Sequence, residues 1–219
     1  VKICLNHIAS TQRGQGNHHA SDGAEHDPVV QRIVDSNPLL EAFGNAKTRR
    51  NDNSSRFGKY LQLQFEGRRR SKLVGSKCEV YLLEKNRVTG HERQERTFHI
   101  FYQLLAAGNH VKREFWSRLV DATNESFAYV GQTTTDTIEG IKDGDQFMKT
   151  LEALREFGVT GDKTKTLIKA ICVVMQLGNI GLAADPRDSD RSVISTSNEL
   201  AYLSDLMGVS KDGLTDSFT

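Results

Sequence analysis

The 219-residue chain, 24.5 kDa, is 37% hydrophobic and 26% charged with a formal net charge of +1, enough for one large domain with a substantial core. That balance gives no support for wholesale binding to nucleic acid or to an anionic membrane, and no stretch is long and apolar enough to insert in a bilayer. Cys4, Cys78 and Cys172 are widely separated, which supplies neither a zinc pattern nor a disulfide framework and fits a reduced, cytosolic setting.

Residues 1–8 place Val1, Ile3, Leu5 and Ile8 at helical spacing with no initiator Met and no N-cap before them, so a helix cut from a longer chain is expected. Residues 9–27 are rich in Gly, Ser, Asn, His and charge and read as a flexible surface loop. His18, His19 and His26 within it lack the regular spacing of a metal site, and solvated loop histidines are the plainer reading. Pro28 suits the first turn of a helix, and Pro38 should divide the following apolar-periodic stretch in two, with Ser36 or Asn37 capping the second piece and Gly44 ending it.

Residues 59–65 and 72–80 alternate like half-buried strands and are joined by EGRRRSK, whose Arg68, Arg69 and Arg70 fit a solvated hairpin tip. From residue 97 the chain turns helical. Phe98, Ile100, Phe101, Leu104 and Leu105 form a broad apolar face closed by Gly108, and VKREFWSRLV continues it. The aromatic cluster Phe98, Phe101, Tyr102, Phe115 and Trp116 is better suited to core packing than to base stacking. Residues 121–144 read as irregular. Helices are expected over 145–157, 162–177 and 197–207, ended by Gly158, Gly178 and Gly208, with Thr160 a candidate cap for the middle one.

The most informative stretch is NDNSSRFGKY, residues 51–60. It packs the amides of Asn51 and Asn53, the hydroxyls of Ser54 and Ser55, the cation of Arg56 and Gly58 onto a loop at the start of a strand. Such residues also make ordinary turns, because their side chains bond back to local backbone. The same set suits phosphate, whose oxygens need several oriented donors, and a hydroxyl is a hard-oxygen ligand for Mg²⁺.

Over a longer span, residues 39–60 (LLEAFGNAKTRRNDNSSRFGKY) resemble the first switch loop of the myosin motor domain and the helix before it. YLLEKNRVTGHERQERTFHIFYQLLAAG at 81–108, MQLGNI at 175–180 and LMGV at 206–209 resemble later stretches of the same motor in the same order. The resemblance implies an α/β fold belonging to a P-loop NTPase motor core: a few strands of the central sheet plus a mostly helical C-terminal half. In that scheme 1–219 is a partial motor domain, 9–27 a surface loop beside the nucleotide, 45–60 the first switch loop and 97–219 the helical upper 50 kDa segment.

By the same resemblance, Ser55 is the Mg²⁺ ligand and Ser54 sits beside the attacking water and the γ-phosphate. Asn51 donates to phosphate oxygens, Arg56 pairs with a glutamate of the second switch, and Asn45 and Asn53 support the nucleotide pocket. The implied substrate is ATP with Mg²⁺, the implied partner the actin filament, and the implied location the cytoplasm at the actin cytoskeleton. Asn86 stands where the family commonly has serine, and Met175 opens MQLGNI where LHLGNI is common.

No complete G-x-x-x-x-G-K-S/T occurs in the sequence. GNAKT at 44–48 and GDKT at 161–164 lack the spaced glycines that let backbone amides wrap a phosphate. The chain alone is therefore expected to be inactive. A non-catalytic helical interaction module derived from a motor is the competing reading, disfavoured because a scaffold has no use for the amide, hydroxyl and guanidinium set at 51–56. In a cytosolic protein the N-x-S/T matches at Asn53 and Asn124 are coincidental.

Overall fold

The computed structural model describes residues 28–66 and 72–218. The expected first helix, the 9–27 loop with its three histidines, Cys4 and the Arg68–Arg70 run lie outside the described residues. Two short helices open the described part, α1 (Pro28–Asp35) and α2 (Asn37–Gly44), with Pro38 in the first turn of α2, where its missing N–H costs nothing. Ser36 occupies the N-cap position without capping. Its hydroxyl instead donates to the Ile33 carbonyl at 2.7 Å, binding the two helices at the bend.

The loop that follows is closed at its base by a two-residue antiparallel pair, β1 (Asn45–Ala46) with β2 (Ser54–Ser55), in which Asn45 faces Ser55 and Ala46 faces Ser54. Ala46 also bridges to Phe98. A long antiparallel hairpin comes next, β3 (Gly58–Glu66) with β4 (Lys72–Tyr81), matching the alternation in the sequence. Leu61, Leu63 and Phe65 turn inward to pack with Val30, Ile33 and Leu73, while Tyr60, Gln62 and Gln64 face outward. The pairing shifts between Gln64 and Phe65, so Val74 bulges out. Val80, Tyr81 and Leu82 remain exposed at the far end of β4.

The helical half is built on α3 (His99–Ala106), which is buried on nearly every side and packs mainly against α5 (Asp143–Glu156), with α2 against both. α4 (Asn109–Phe115) and α6 (Asp162–Leu177) complete this layer. Phe98, Phe101, Tyr102, Phe115 and Trp116 lie in a single core with Leu104, Phe127, Phe147, Ile168 and Met175, as expected for packing aromatics. Phe115 meets Phe147 edge-to-face at 6.2 Å. α7 (Ser197–Met207) and α8 (Lys211–Phe218) form a smaller cluster around Leu200, Leu203 and Leu214.

Several details depart from expectation. Residues 121–144 include a tight hairpin, β5 (Thr137–Ile138) with β6 (Ile141–Lys142). A second hairpin, β7 (Leu182–Asp185) with β8 (Asp188–Ile194), and helix α8 carry no strong sequence signal. Gly161, not Thr160, holds the N-cap position of α6, and Ala107, not Gly108, follows α3; Gly108 instead precedes α4. The strands of the described residues form four separate two-stranded antiparallel pairs.

Candidate functional site

The loop from Asn45 to Arg56 starts where α2 runs into a close approach. A Cβ on Gly44 would lie 2.3 Å from the Phe57 ring, so the chain leaving the loop can cross the chain entering it only because residue 44 has no side chain. The Arg56 N–H donates to the Gly44 carbonyl at 2.9 Å, which closes the loop. At its far end Thr48 and Asn51 bond reciprocally. The Thr48 N–H and hydroxyl donate to the Asn51 carbonyl at 2.8 and 3.0 Å, and the Asn51 N–H donates to the Thr48 hydroxyl at 3.1 Å. Lys47 pairs with Asp52 across the turn.

Asn53 holds the loop to everything beneath it. Its Nδ2 donates to Glu41 of α2 at 3.1 Å and to Glu139 of the β5–β6 turn at 3.2 Å. Carboxylates can only accept here, so the Asn53 oxygen must face the other way, where Asn45 Nδ2 donates to it at 2.9 Å and His99 Nε2 approaches to 3.2 Å. His99 must therefore carry its proton on Nε2. Burial, aided by the charge of Arg96, pushes the His99 pKa down to about 3, so the ring stays neutral. Both donors and both acceptor positions of the Asn53 side chain are thereby used.

One further bond decides what the loop presents. The Asn53 backbone N–H donates to Asn51 Oδ1 at 2.9 Å. With its oxygen turned inward, exposed Asn51 has its Nδ2 donors left to offer. Ser54 is half-buried beside it and receives Arg56 Nη1 at 3.4 Å. Asn51, Ser54 and Arg56 line one open cleft of about 660 Å³ together with Thr48, Arg49, Arg50 and Arg87 and the acidic residues Glu92 and Glu95. Ser55 is exposed and points to the other face of the β1–β2 pair. Its hydroxyl makes one long donation, 3.3 Å to the Phe57 carbonyl. Asn51, Ser54 and Arg56, read from the sequence as one set, thus share one surface. Asn45, which is buried, and saturated Asn53 lie beneath it as supports.

A row of ion pairs backs the cleft. Arg56 Nε donates to Glu84 at 2.5 Å, and the Glu84 N–H returns a bond to the Arg56 carbonyl at 2.9 Å. Arg87, largely buried, donates to the same Glu84 carboxylate at 2.8 Å and to Glu95 at 2.9 Å. Hydrogen bonds from Arg56 and then Arg87 hold the Glu84 carboxyl below the ordinary carboxylate range. For Arg87, burial works against the charge, but the bonds to Glu84 and Glu95 outweigh it and the pKa rises. Among the described residues, then, the ion-pair partner of Arg56 is Glu84, a residue to which sequence reading gave no role.

The whole chain, residues 1–219, matches the family described as Myosin head (motor domain). The chain belongs to that family. Relatives of this myosin head segment include Myosin-52 of Schizosaccharomyces pombe, 38% identical over 87% of the chain. Myosin ID heavy chain of Dictyostelium discoideum is 40% identical over 86%, and Unconventional myosin-Ic of Rattus norvegicus 40% over 87%. The myosin segment spans 12%, 16% and 18% of the lengths of these three relatives.

Proposed function

We propose that this chain contributes the first switch loop, residues 45–60, of an actin-based motor that hydrolyses Mg·ATP, as part of a P-loop NTPase core whose helical upper 50 kDa segment spans residues 97–219. The observation that carries the reading is the orientation of Asn51. Its oxygen is taken by the Asn53 N–H, so what it offers the cleft is a pair of donors beside the Ser54 hydroxyl and the Arg56 guanidinium. Phosphate oxygens accept and do not donate, so this edge has the right polarity for them.

Phosphoryl transfer through a loose transition state demands chiefly positioning and electrostatic stabilisation. Asn51 donates to phosphate oxygens, Ser54 positions the attacking water, and Arg56 draws the loop closed by pairing with a second-switch glutamate. Among the described residues no group of three or more His, Cys, Asp or Glu side chains could hold a metal. A single hydroxyl fits Mg²⁺ that is otherwise ligated by phosphate and water; the Ser55 hydroxyl is exposed, but in this structure it points away from the face that Asn51 and Ser54 present. Ser55 would hold the cation once the loop turns its hydroxyl toward the phosphates, whose charge the cation would neutralise. The actin filament is the partner of the complete motor, in the cytoplasm at the actin cytoskeleton.

In the complete motor, Ser55→Ala should depress Mg²⁺-dependent ATPase activity, because a methyl cannot replace an oxygen ligand. Arg56→Glu should leave ATP binding but block hydrolysis, since a carboxylate at 56 would face Glu84 and could not attract a second glutamate. Wild-type turnover in both variants would remove the switch-loop reading. The chain alone should neither bind Mg·ATP tightly nor hydrolyse it, which calorimetry would check.

A further inference from the structure

Among the described residues, charged and polar clusters behind or beside the edge that faces phosphate include the Glu84–Arg87–Glu95 row that holds Arg56, the buried Arg96–Asp143 pair, and the junction around Asn53. The junction carries an inference furthest, because its hydrogen bonds leave one consistent assignment and end on a residue of the proposed site. We propose that His99 and Glu139 are positioning residues for the phosphate-facing loop, acting through Asn53 to fix which way the Asn51 amide points. This rests on the reading that residues 51–56 face phosphate.

The argument runs from the outside inward. The amide of Asn51 is set by one bond, from the Asn53 N–H to its oxygen at 2.9 Å. Where that N–H lies depends on how the Asn53 side chain is seated, and four groups seat it: Glu41, Asn45, His99 and Glu139. Glu41 and Asn45 belong to the helix and strand that lead into the loop. His99 and Glu139 do not. They sit 46 and 86 residues further along, on α3 and on the β5–β6 turn, and so tie the loop to the helical layer.

Both show signs of being held for this purpose. His99 is buried with Nδ1 lacking a partner among the described residues, at the edge of a cavity of about 20 Å³ that it shares with Asn53 and Gln103. A buried imidazole with one nitrogen unmet is retained at a cost that a Leu or Phe in the same core would avoid. Among the described residues, the one hydrogen bond of its side chain is that to Asn53. Glu139 has φ +50 and Gly140 φ +78. A two-residue β-hairpin of this type I′ form has positive φ at both positions, where Asn, Asp or Gly is preferred, yet a glutamate stands at the first. Its carboxylate reaches Asn53, and strained non-glycine residues of this kind persist where the surroundings over-determine them.

The test uses the complete motor carrying His99→Phe, which fills the space but cannot donate, and His99→Gln, which keeps an N–H near the position of Nε2. Glu139→Gly removes the carboxylate while relieving the turn. His99→Phe should lower kcat about tenfold with KM for Mg·ATP changed less than about threefold, the scale of one buried hydrogen bond acting on the transition state. His99→Gln should recover to within about threefold of the parent. Hydrogen exchange at the Asn53 amide should speed up by roughly tenfold in His99→Phe and Glu139→Gly, as expected when a local hydrogen bond loosens.

Leu203→Ala, in the separate α7–α8 cluster, serves as the stability control: it should lower the melting temperature without changing exchange at Asn53. Equal defects in His99→Phe and His99→Gln, or unchanged exchange at Asn53, would overturn the positioning role. If Ser55→Ala and Arg56→Glu impair the same motor while these variants do not, the joint fails and the switch-loop reading stands. Should Ser55→Ala and Arg56→Glu also leave turnover intact, the failure lies in the functional reading itself.

Discussion

The loop at 45–56 and the core around α3 sit against each other but are held by opposite means. The core beneath Phe98 to Leu105 is apolar, and its contacts are non-directional: one methyl group substitutes tolerably for another if the volume is kept. The loop buries little apolar surface. It is held by hydrogen bonds that each require a particular donor and acceptor, converging on Asn53. A region held by packing loses stability gradually under substitution, whereas one held by a saturated polar junction loses geometry first. Stability and activity should therefore separate along this boundary.

The largest effect should come where the two kinds of support meet. Arg96, 1% exposed, pairs with Asp143 at 2.9 Å and lies over the Tyr102 ring at 3.7 Å. Arg96→Leu strands the Asp143 carboxylate in the core, and a loss of about 3–5 kcal/mol is expected from breaking one side of a buried pair. Arg96→Leu with Asp143→Leu should recover most of it. Equal melting temperatures for parent and single variant would refute the pairing. Phe147→Ala, wholly within the apolar core, should cost a similar ~3–5 kcal/mol and, if the proposed function holds, leave the folded fraction of the complete motor with parental KM for nucleotide.

Acid should act on the junction more than on the core. The folded pKa of His99, about 3, lies below the ordinary 6.5 of the unfolded chain, so between those values the unfolded state takes up a proton that the folded state refuses. That contribution is complete above about pH 6.5 and falls by about 1.4 kcal/mol per pH unit toward pH 3. Asp143 acts in the opposite sense near its own range, since burial raises its pKa despite Arg96. Unfolding followed from pH 7 to pH 4 should show a weaker acid dependence in His99→Gln than in the parent; identical slopes would contradict the depressed value.

Gly44→Ala tests the loop's closure. The added methyl meets the Phe57 ring, and about 1–3 kcal/mol is expected, partly recovered with Phe57→Ala. At the small end, Lys77→Ala removes an exposed pair with Glu79 and should shift stability by less than about 0.5 kcal/mol in either direction.

The same contrast explains what was readable in the sequence. Apolar periodicity is local, so α6 matches its expected bounds and the β3–β4 hairpin was visible in alternating Leu61, Leu63 and Phe65. The β7–β8 hairpin was not visible, because Leu182, Ala183 and Ala184 are exposed and no alternation marks them. α8 has one buried residue, Leu214, and a glycine in its interior, too weak a pattern to find. Thr160 looked like a cap by residue type, but the cap position falls at Gly161 and the Thr160 side chain takes no part. For the site, the residues from Asn51 to Arg56 were legible because they are contiguous. The partners of Asn53 at 41, 45, 99 and 139, and Glu84 opposite Arg56, are brought together by the fold alone.

The doubly bonded Glu84 has a consequence for motion. Arg56 is partly exposed and shares its carboxylate with Arg87, which is buried and anchored also to Glu95 and to the Arg96 carbonyl. Were Arg56 to leave this pair, Glu84 would keep a cation against it, so no bare charge would be stranded and the penalty would be nearer the ~0–1 kcal/mol of a solvent-facing pair than that of a buried one. The Arg56 guanidinium could thus be lent out and returned many times without the structure behind it having to rearrange.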